Sequence, residues 1–142
     1  MFGSIFFYKT YLANNNINNN KQPAQLIFIY NAKSGIINGI YDYAHKLLSP
    51  STYSCNLCSI TYDNLGKINK WSDYLRSLPY EITFLYKDHL NKQQLNFIYD
   101  GEDLPCLFFL NNNKYNLIIS SAEMNNLKSL DELIHLIERK LP

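Results

Sequence analysis

The apolar run Leu26-Ile27-Phe28-Ile29-Tyr30 constrains the fold more than any other part of the chain. Consecutive apolar residues with β-branched and aromatic members favour a strand that is buried on both faces. Such a strand belongs in the middle of a sheet that helices cover. At 142 residues the chain is long enough for a hydrophobic core, and one domain is the natural number. We therefore expect a single domain over residues 26–142, built around this strand.

Helical and extended patterns alternate after this strand. Helical spacing of apolar residues predicts a first helix over residues 36–48, with Ser34 as its N-cap and Pro50 just beyond its end. The same spacing predicts a second helix over residues 68–78, which Pro79 ends. Extended patterns predict a short candidate strand at residues 59–62 and a strand at residues 81–86. Residues 89–97 fit a helix or a loop. The first two thirds of the domain are therefore expected to alternate between strand and helix.

The last third of the chain predicts a β-hairpin and a closing helix. Two apolar runs, residues 104–110 and 115–120, flank Asn111-Asn112-Asn113-Lys114, and asparagine tolerates the left-handed backbone of a tight turn. Ser129 and Glu132 match the S-x-x-E capping box. The apolar residues that follow share one helix face: Leu130, Leu133, Ile134, Ile137 and Leu141.

This order of elements resembles the thioredoxin fold. The resemblance implies an α/β three-layer sandwich with a central mixed sheet, helices on both faces and a C-terminal β-hairpin plus helix. Leu104-Pro105, just before the first hairpin strand, is similar to the cis-proline entry of that fold. A ferredoxin-like α+β sandwich is the alternative architecture.

Residues 1–25 are predicted to be a disordered extension. Residues 14–20 are asparagine except for Ile17, and a polar run of this kind has little to bury. The apolar stretch before it falls short of the roughly 20 residues that span a bilayer. A basic n-region and a cleavage site typical of a signal peptide are both lacking. We expect no membrane partner, while organelle targeting by this extension stays open.

Charge and cysteine content narrow the function classes further. A formal net charge of +1 gives no field that would attract nucleic acid, so we expect no nucleic-acid partner. Three cysteines are too few for a disulfide scaffold, and an odd number suits a reducing compartment. The expected location is therefore the cytoplasm. The oligomeric state does not follow from the sequence.

The candidate site is the pair Cys55-x-x-Cys58 with His45 ten residues before the first cysteine. C-x-x-C spacing brings two sulfur atoms within disulfide distance, and a nearby cation favours the thiolate. In a thiol-based reaction Cys55 would attack, Cys58 would resolve the mixed disulfide, and His45 would assist by charge or proton transfer. The partner would be a protein or a small thiol. We expect the imidazole of His45 to lie close to the cysteine turn.

Two other interpretations of the same residues stay open. Cys55, Cys58 and His45 are also zinc ligands by type, with Cys106 or His89 as the fourth ligand, in a protein that is not an enzyme. Alternatively the cysteines only pack, since cysteine is among the most buried residue types. Cys106 itself is expected in the core, and the two remaining histidines, His89 and His135, on solvent-facing helix surfaces.

The position of the pair differs from that in thioredoxin-like proteins. Their active cysteines follow the first strand and begin the first helix, where this chain has Ala32-Lys33-Ser34-Gly35. Cys55 and Cys58 come after the first predicted helix instead. We therefore do not expect an inherited thioredoxin mechanism, whereas an independent redox pair stays open.

Residues 26 to 141 resemble a small, largely uncharacterised family of bacterial proteins. The resemblance rests mainly on one long motif, His45-Lys46 followed by Ser49-Pro50-Ser51-Thr52-Tyr53-x-Cys55-x-Leu57-Cys58. The shorter matches are Tyr30-Asn31-Ala32-x-Ser34-Gly35, Trp71, Phe84-Leu85-x-Lys87-Asp88 and Leu104-Pro105. Members are often labelled GTPases. The phosphate-binding G-x-x-x-x-G-K-[ST] loop is absent here, because Lys33-Ser34-Gly35 lacks the preceding glycines.

Overall fold

The structure, a computed structural model, describes residues 22–34, 55–63, 66–90 and 103–142. Several predictions lie outside these ranges. They concern residues 1–21 of the extension, the helix over 36–48 with His45, the loop before Cys55, and residues 91–102.

The strands form a mixed four-stranded sheet and a short ribbon. In chain order they are β1 (Gln25–Tyr30), β2 (Tyr62–Asp63), β3 (Gly66–Lys67), β4 (Glu81–Tyr86), β5 (Cys106–Asn111) and β6 (Lys114–Ile119). The main sheet has the order β4-β1-β5-β6, and β2 pairs with β3. Strand β1 is parallel to β4 and antiparallel to β5, and β5 is antiparallel to β6. The predicted strands at 26–30 and 81–86 and the hairpin are confirmed, although β1 begins at Gln25, inside the predicted extension.

Four helices are described: α1 (Asn56–Thr61), α2 (Asn69–Ser77), α3 (Ser121–Asn126) and α4 (Leu130–Lys140). A 3₁₀ turn covers Lys87–His89. The predicted cap of α4 is present, because the Glu132 N–H donates to the Ser129 hydroxyl at 3.2 Å. The Glu132 carboxylate accepts from the N–H of Lys128 at 2.7 Å, one residue before the position a capping box predicts.

Alternation along the strands divides the core between the two faces of the sheet. One face, here called face A, carries Leu26, Phe28 and Tyr30, and all four described helices pack on it. The opposite face, face B, carries Ile27 and Ile29 of β1. Its other buried residues are Leu90, Leu104, Cys106, Phe108 and Leu110. Both faces of β1 are therefore buried, as the apolar run predicted, whereas a helix on face B stays a prediction.

The two backbone features predicted around the hairpin are present. Asn112 and Asn113 have φ angles of 50° and 59°, so two asparagines occupy the left-handed region at the turn. The Leu104-Pro105 peptide bond is cis.

The strand predicted at residues 59–62 is wrong, since α1 covers Asn56–Thr61 and only Tyr62–Asp63 is extended. Two hydroxyls bond back to carbonyls within the helix, Ser59 to Asn56 at 2.8 Å and Thr61 to Leu57 at 2.6 Å. Leu57, Cys58 and Thr61 are buried on one side of it. Packing against face A has overridden the β propensity of Ile60-Thr61-Tyr62.

The architecture is therefore mixed α/β, with a parallel pair, an antiparallel hairpin and a closing helix. None of the helices in the described ranges is long and apolar enough to cross a membrane.

Candidate functional site

Cys55 and Cys58 are joined by a disulfide bond at the start of α1, with an S–S distance of 2.15 Å. Cys55 is the N-cap residue, and its Sγ accepts the backbone N–H of Cys58 at 3.3 Å. The C-x-x-C spacing thus spans the first turn of the helix. The sequence predicted the proximity of the two sulfur atoms, and the structure confirms it.

Both cysteines are buried in the core of face A. The exposed fraction is 0% for Cys55 and 2% for Cys58. Trp71 of α2, Met124 of α3 and Leu133 of α4 belong to the same buried cluster. Apolar surroundings disfavour a charged thiolate, which is the attacking form of a cysteine. A reagent therefore reaches these sulfur atoms only if the residues that cover them move.

Asn56, which lies between the cysteines, fastens α1 to α3. Its Nδ2 donates to the carbonyl oxygens of Met124 at 2.7 Å and Leu127 at 2.8 Å. These carbonyls lie at the C-terminal end of α3, where the Met124 oxygen also accepts the N–H of Leu127 at 3.4 Å. Sequence reasoning missed this residue, because nothing distinguishes it locally from the many other asparagines of the chain. Asn56 holds the cysteine turn in place.

The remaining candidate ligands are not gathered around the pair. His45 lies outside the described residues, so its predicted position stays untested. Cys106 is fully buried, as predicted, but it belongs to the core of face B, across the sheet from the disulfide. Among the residues that the structure describes, no three His, Cys, Asp or Glu side chains are grouped so as to hold a metal ion.

The two other histidines differ in their surroundings. His135 on α4 is exposed, as predicted, and its Nδ1 lies 3.6 Å from the Glu138 carboxylate. The prediction of a solvent-facing helix position was wrong for His89, which is half-buried in the 3₁₀ turn. Its Nδ1 accepts the N–H of Tyr86 at 3.3 Å, and its ring lies 5.2 Å from the Tyr86 ring.

The turn after β1 is fixed by a carboxylate from the 3₁₀ turn. Asp88 accepts the backbone N–H of Ser34 at 2.9 Å and the Ser34 hydroxyl at 2.6 Å. Burial alone would raise the pKa of this carboxyl, but the hydrogen bonds from Ser34, a bond from its own backbone N–H and the nearby His89 together lower it below its usual value. Ser34 was predicted to be the N-cap of the next helix; in the structure it already has helical conformation, and its N–H and hydroxyl donate to a carboxylate 54 residues along the chain.

Tyr30 lies at the end of β1 on the same face as the disulfide. Its ring stacks on that of Tyr86 with centroids 5.5 Å apart. Burial, and to a lesser extent the neighbouring Tyr62, raise the pKa of Tyr30 well above its ordinary value. The phenol is therefore neutral at physiological pH and adds no charge to the surroundings of α1.

Comparison with known proteins gives no relative: no protein-family model, no curated protein and no solved structure matches this chain.

Proposed function

We propose that this chain is a thiol–disulfide redox protein with a thioredoxin-like fold, in which Cys55 and Cys58 alternate between disulfide and dithiol. The observation that carries the proposal is the disulfide across the first turn of α1, with the Cys58 N–H directed at the Cys55 sulfur. A donor in that position stabilises negative charge on Cys55 when the pair is reduced. Cys55 is thus the better nucleophile of the two.

The element order supports the fold part of the proposal. A parallel pair, β1 and β4, is joined through α1 and α2, and an antiparallel hairpin closed by α4 lies on the other side of β1. A cis-proline bond precedes the first hairpin strand. The three-layer arrangement additionally requires a helix on face B.

In the proposed reaction, the reduced pair transfers two electrons to a disulfide of a protein or small thiol partner. The Cys55 thiolate attacks one partner sulfur, and the other partner sulfur leaves as a thiolate that takes up a proton. The Cys58 thiol then loses its proton, attacks the Cys55 sulfur and releases the second partner sulfur as a thiol. The partner is reduced to two thiols while Cys55 and Cys58 are oxidised to the disulfide.

Thiol counting on the native protein tests this proposal. A Cys106→Ala background removes the third cysteine, and a maleimide added before and after treatment with dithiothreitol reports the remaining thiols by mass. We expect two new reactive thiols with the fold intact by circular dichroism, and loss of both on adding oxidised glutathione. In Cys58→Ser on the same background, glutathione should stay attached to Cys55, because no resolving thiol remains. Thiols that react only in denaturant would contradict the proposal.

A purely structural disulfide is the second candidate, and the burial of both sulfur atoms favours it. A bridge over so short a loop removes little chain entropy, and the loop-closure model gives about 2 kcal/mol. In that case the double variant Cys55→Ser, Cys58→Ser would lose about this stability, and dithiothreitol would not reduce the native protein. The same labelling experiment therefore separates the two functions.

A further inference from the structure

A polar cleft of about 420 Å³ opens at the end of the main sheet where β1 and β4 finish. Asn31 follows β1, Lys87 follows β4, and Leu104 precedes β5. Ser121 and Asn125 of α3 line another wall, beside Asp103. The carboxyl ends of neighbouring parallel strands are the usual place for ligands in open α/β sheets. The volume lies in the range of small-molecule sites.

The lining is almost entirely polar, which sets the kind of ligand the cleft can take. Leu104 is the one apolar residue among the described lining residues. Two hydrogen bonds order the α3 wall: the Ser121 hydroxyl donates to the Leu104 carbonyl at 3.1 Å, and the Asn125 amide donates to the Ser121 oxygen at 3.2 Å. An apolar ligand would cover the charged groups of Lys87 and Asp103 without giving them a partner, so a hydrophilic ligand fits better.

Two opposite charges line this cleft. Lys87 and Asp103 are both exposed, and within the described ranges neither side chain has an ion-pair or hydrogen-bond partner. Some exposed charges elsewhere form ion pairs, as Lys70 does with Asp131 and Lys140 with Glu123, whereas others, such as Glu81 and Lys114, form none within the described residues. An ammonium and a carboxylate that line one cleft unpaired can each take the opposite charge from a ligand.

We propose that this cleft binds a small zwitterion of the α-amino acid class. Lys87 binds the carboxylate of the ligand, and Asp103 binds its ammonium group. The exposed amide of Asn125 contributes hydrogen-bonding groups for a polar side chain. The proposal uses neither cysteine and does not rest on the redox function, although Asn56 ties the far end of α3 to the cysteine turn.

Calorimetric titration of the full chain with glutamine tests this assignment, with acetate and ethylammonium chloride as single-charge probes. We expect saturable binding of glutamine and much weaker binding of each single-charge probe. Lys87→Met and Asp103→Asn should each weaken glutamine binding about tenfold or more, as loss of a charge-assisted hydrogen bond does. Circular dichroism checks that both variants fold.

The matched controls are Lys114→Met and Glu81→Gln. Both residues are exposed and charged, and both lie at the opposite end of the sheet. In the strand register, Lys114 of β6 is opposite Asn111 of β5, and Glu81 of β4 is opposite Gln25 of β1. They should leave glutamine binding unchanged. Acetate binding as tightly as glutamine, or glutamine binding that survives both cleft variants, would overturn the zwitterion site. Absence of glutamine binding would overturn it as well.

Discussion

At the scale of single residues, Asp88 connects two segments that are far apart in the chain. Its carboxylate holds the turn after β1 through both the N–H and the hydroxyl of Ser34. Because these bonds lower its pKa in the folded state, Asp88 stabilises the fold at pH values above the pKa of an unfolded aspartate. That contribution is lost as the pH falls through the lowered folded-state pKa.

We therefore expect Asp88→Asn to lower the free energy of unfolding at neutral pH by about 1 kcal/mol, since the group is only half-buried. The difference from the parent protein should shrink in acid, where Asp88 itself becomes protonated. Urea unfolding as a function of pH measures this. Asp73→Asn is the control, because Asp73 and Arg76 form an exposed pair that should matter little. An equal loss for both variants at every pH would contradict this role for Asp88.

Asn56 acts at the same scale, but it controls the cysteine turn. Asn56→Ala leaves two carbonyls of the α3 terminus without their side-chain donor, so we expect a loss of about 1–3 kcal/mol. If access to the buried sulfur atoms requires α1 to move, the variant should also be reduced faster by dithiothreitol. Asn126→Ala, an exposed change on α3, is the control. An unchanged reduction rate in Asn56→Ala would show that α1 does not gate the disulfide.

At the scale of elements, local signals predicted α4 and the hairpin but not α1. The cap of α4 and the asparagine turn are encoded within a few residues, and both are present. The segment Ser59-Ile60-Thr61-Tyr62 has strand propensity, yet its neighbour Leu57 and the paired cysteines anchor it on face A as a helix. Contacts with residues far along the chain, such as Met124, determine the helical conformation of this segment. A local sequence pattern carries no information about such contacts.

The cap of α4 gives a direct test at this scale. Ser129→Ala removes the hydroxyl that accepts the Glu132 N–H and should destabilise the protein by about 1 kcal/mol. Ser129→Asp should restore most of that loss, because aspartate is an equally good N-cap and favours a helix N-terminus. Thermal unfolding followed by circular dichroism compares the three proteins. If Ser129→Asp lost as much stability as Ser129→Ala, the missing N-cap would not be the cause of the destabilisation.

For the whole molecule, the sequence predicted the members of the sheet because each main strand is a distinct apolar or β-branched run. It did not predict the order β4-β1-β5-β6, which depends on pairing between distant segments. The candidate site was likewise predicted only in part. Spacing alone predicted the Cys55–Cys58 pair, whereas its burial and the bonds of Asn56 follow from the packing of α1 on α3. The role of His45 and the resemblance to the bacterial family stay predictions.

We propose that the Cys55–Cys58 pair works as a reversible redox couple in the folded protein. Equilibration of the Cys106→Ala protein with graded ratios of reduced and oxidised dithiothreitol or glutathione, followed by acid trapping and thiol counting, measures its reduction potential. We expect one two-electron transition, with a potential between about −270 and −120 mV, the range of thioredoxin-like oxidoreductases, and with the fold unchanged across it. A disulfide that stays oxidised in every native buffer, or that is reduced only as the protein unfolds, would show that the pair is not a redox couple.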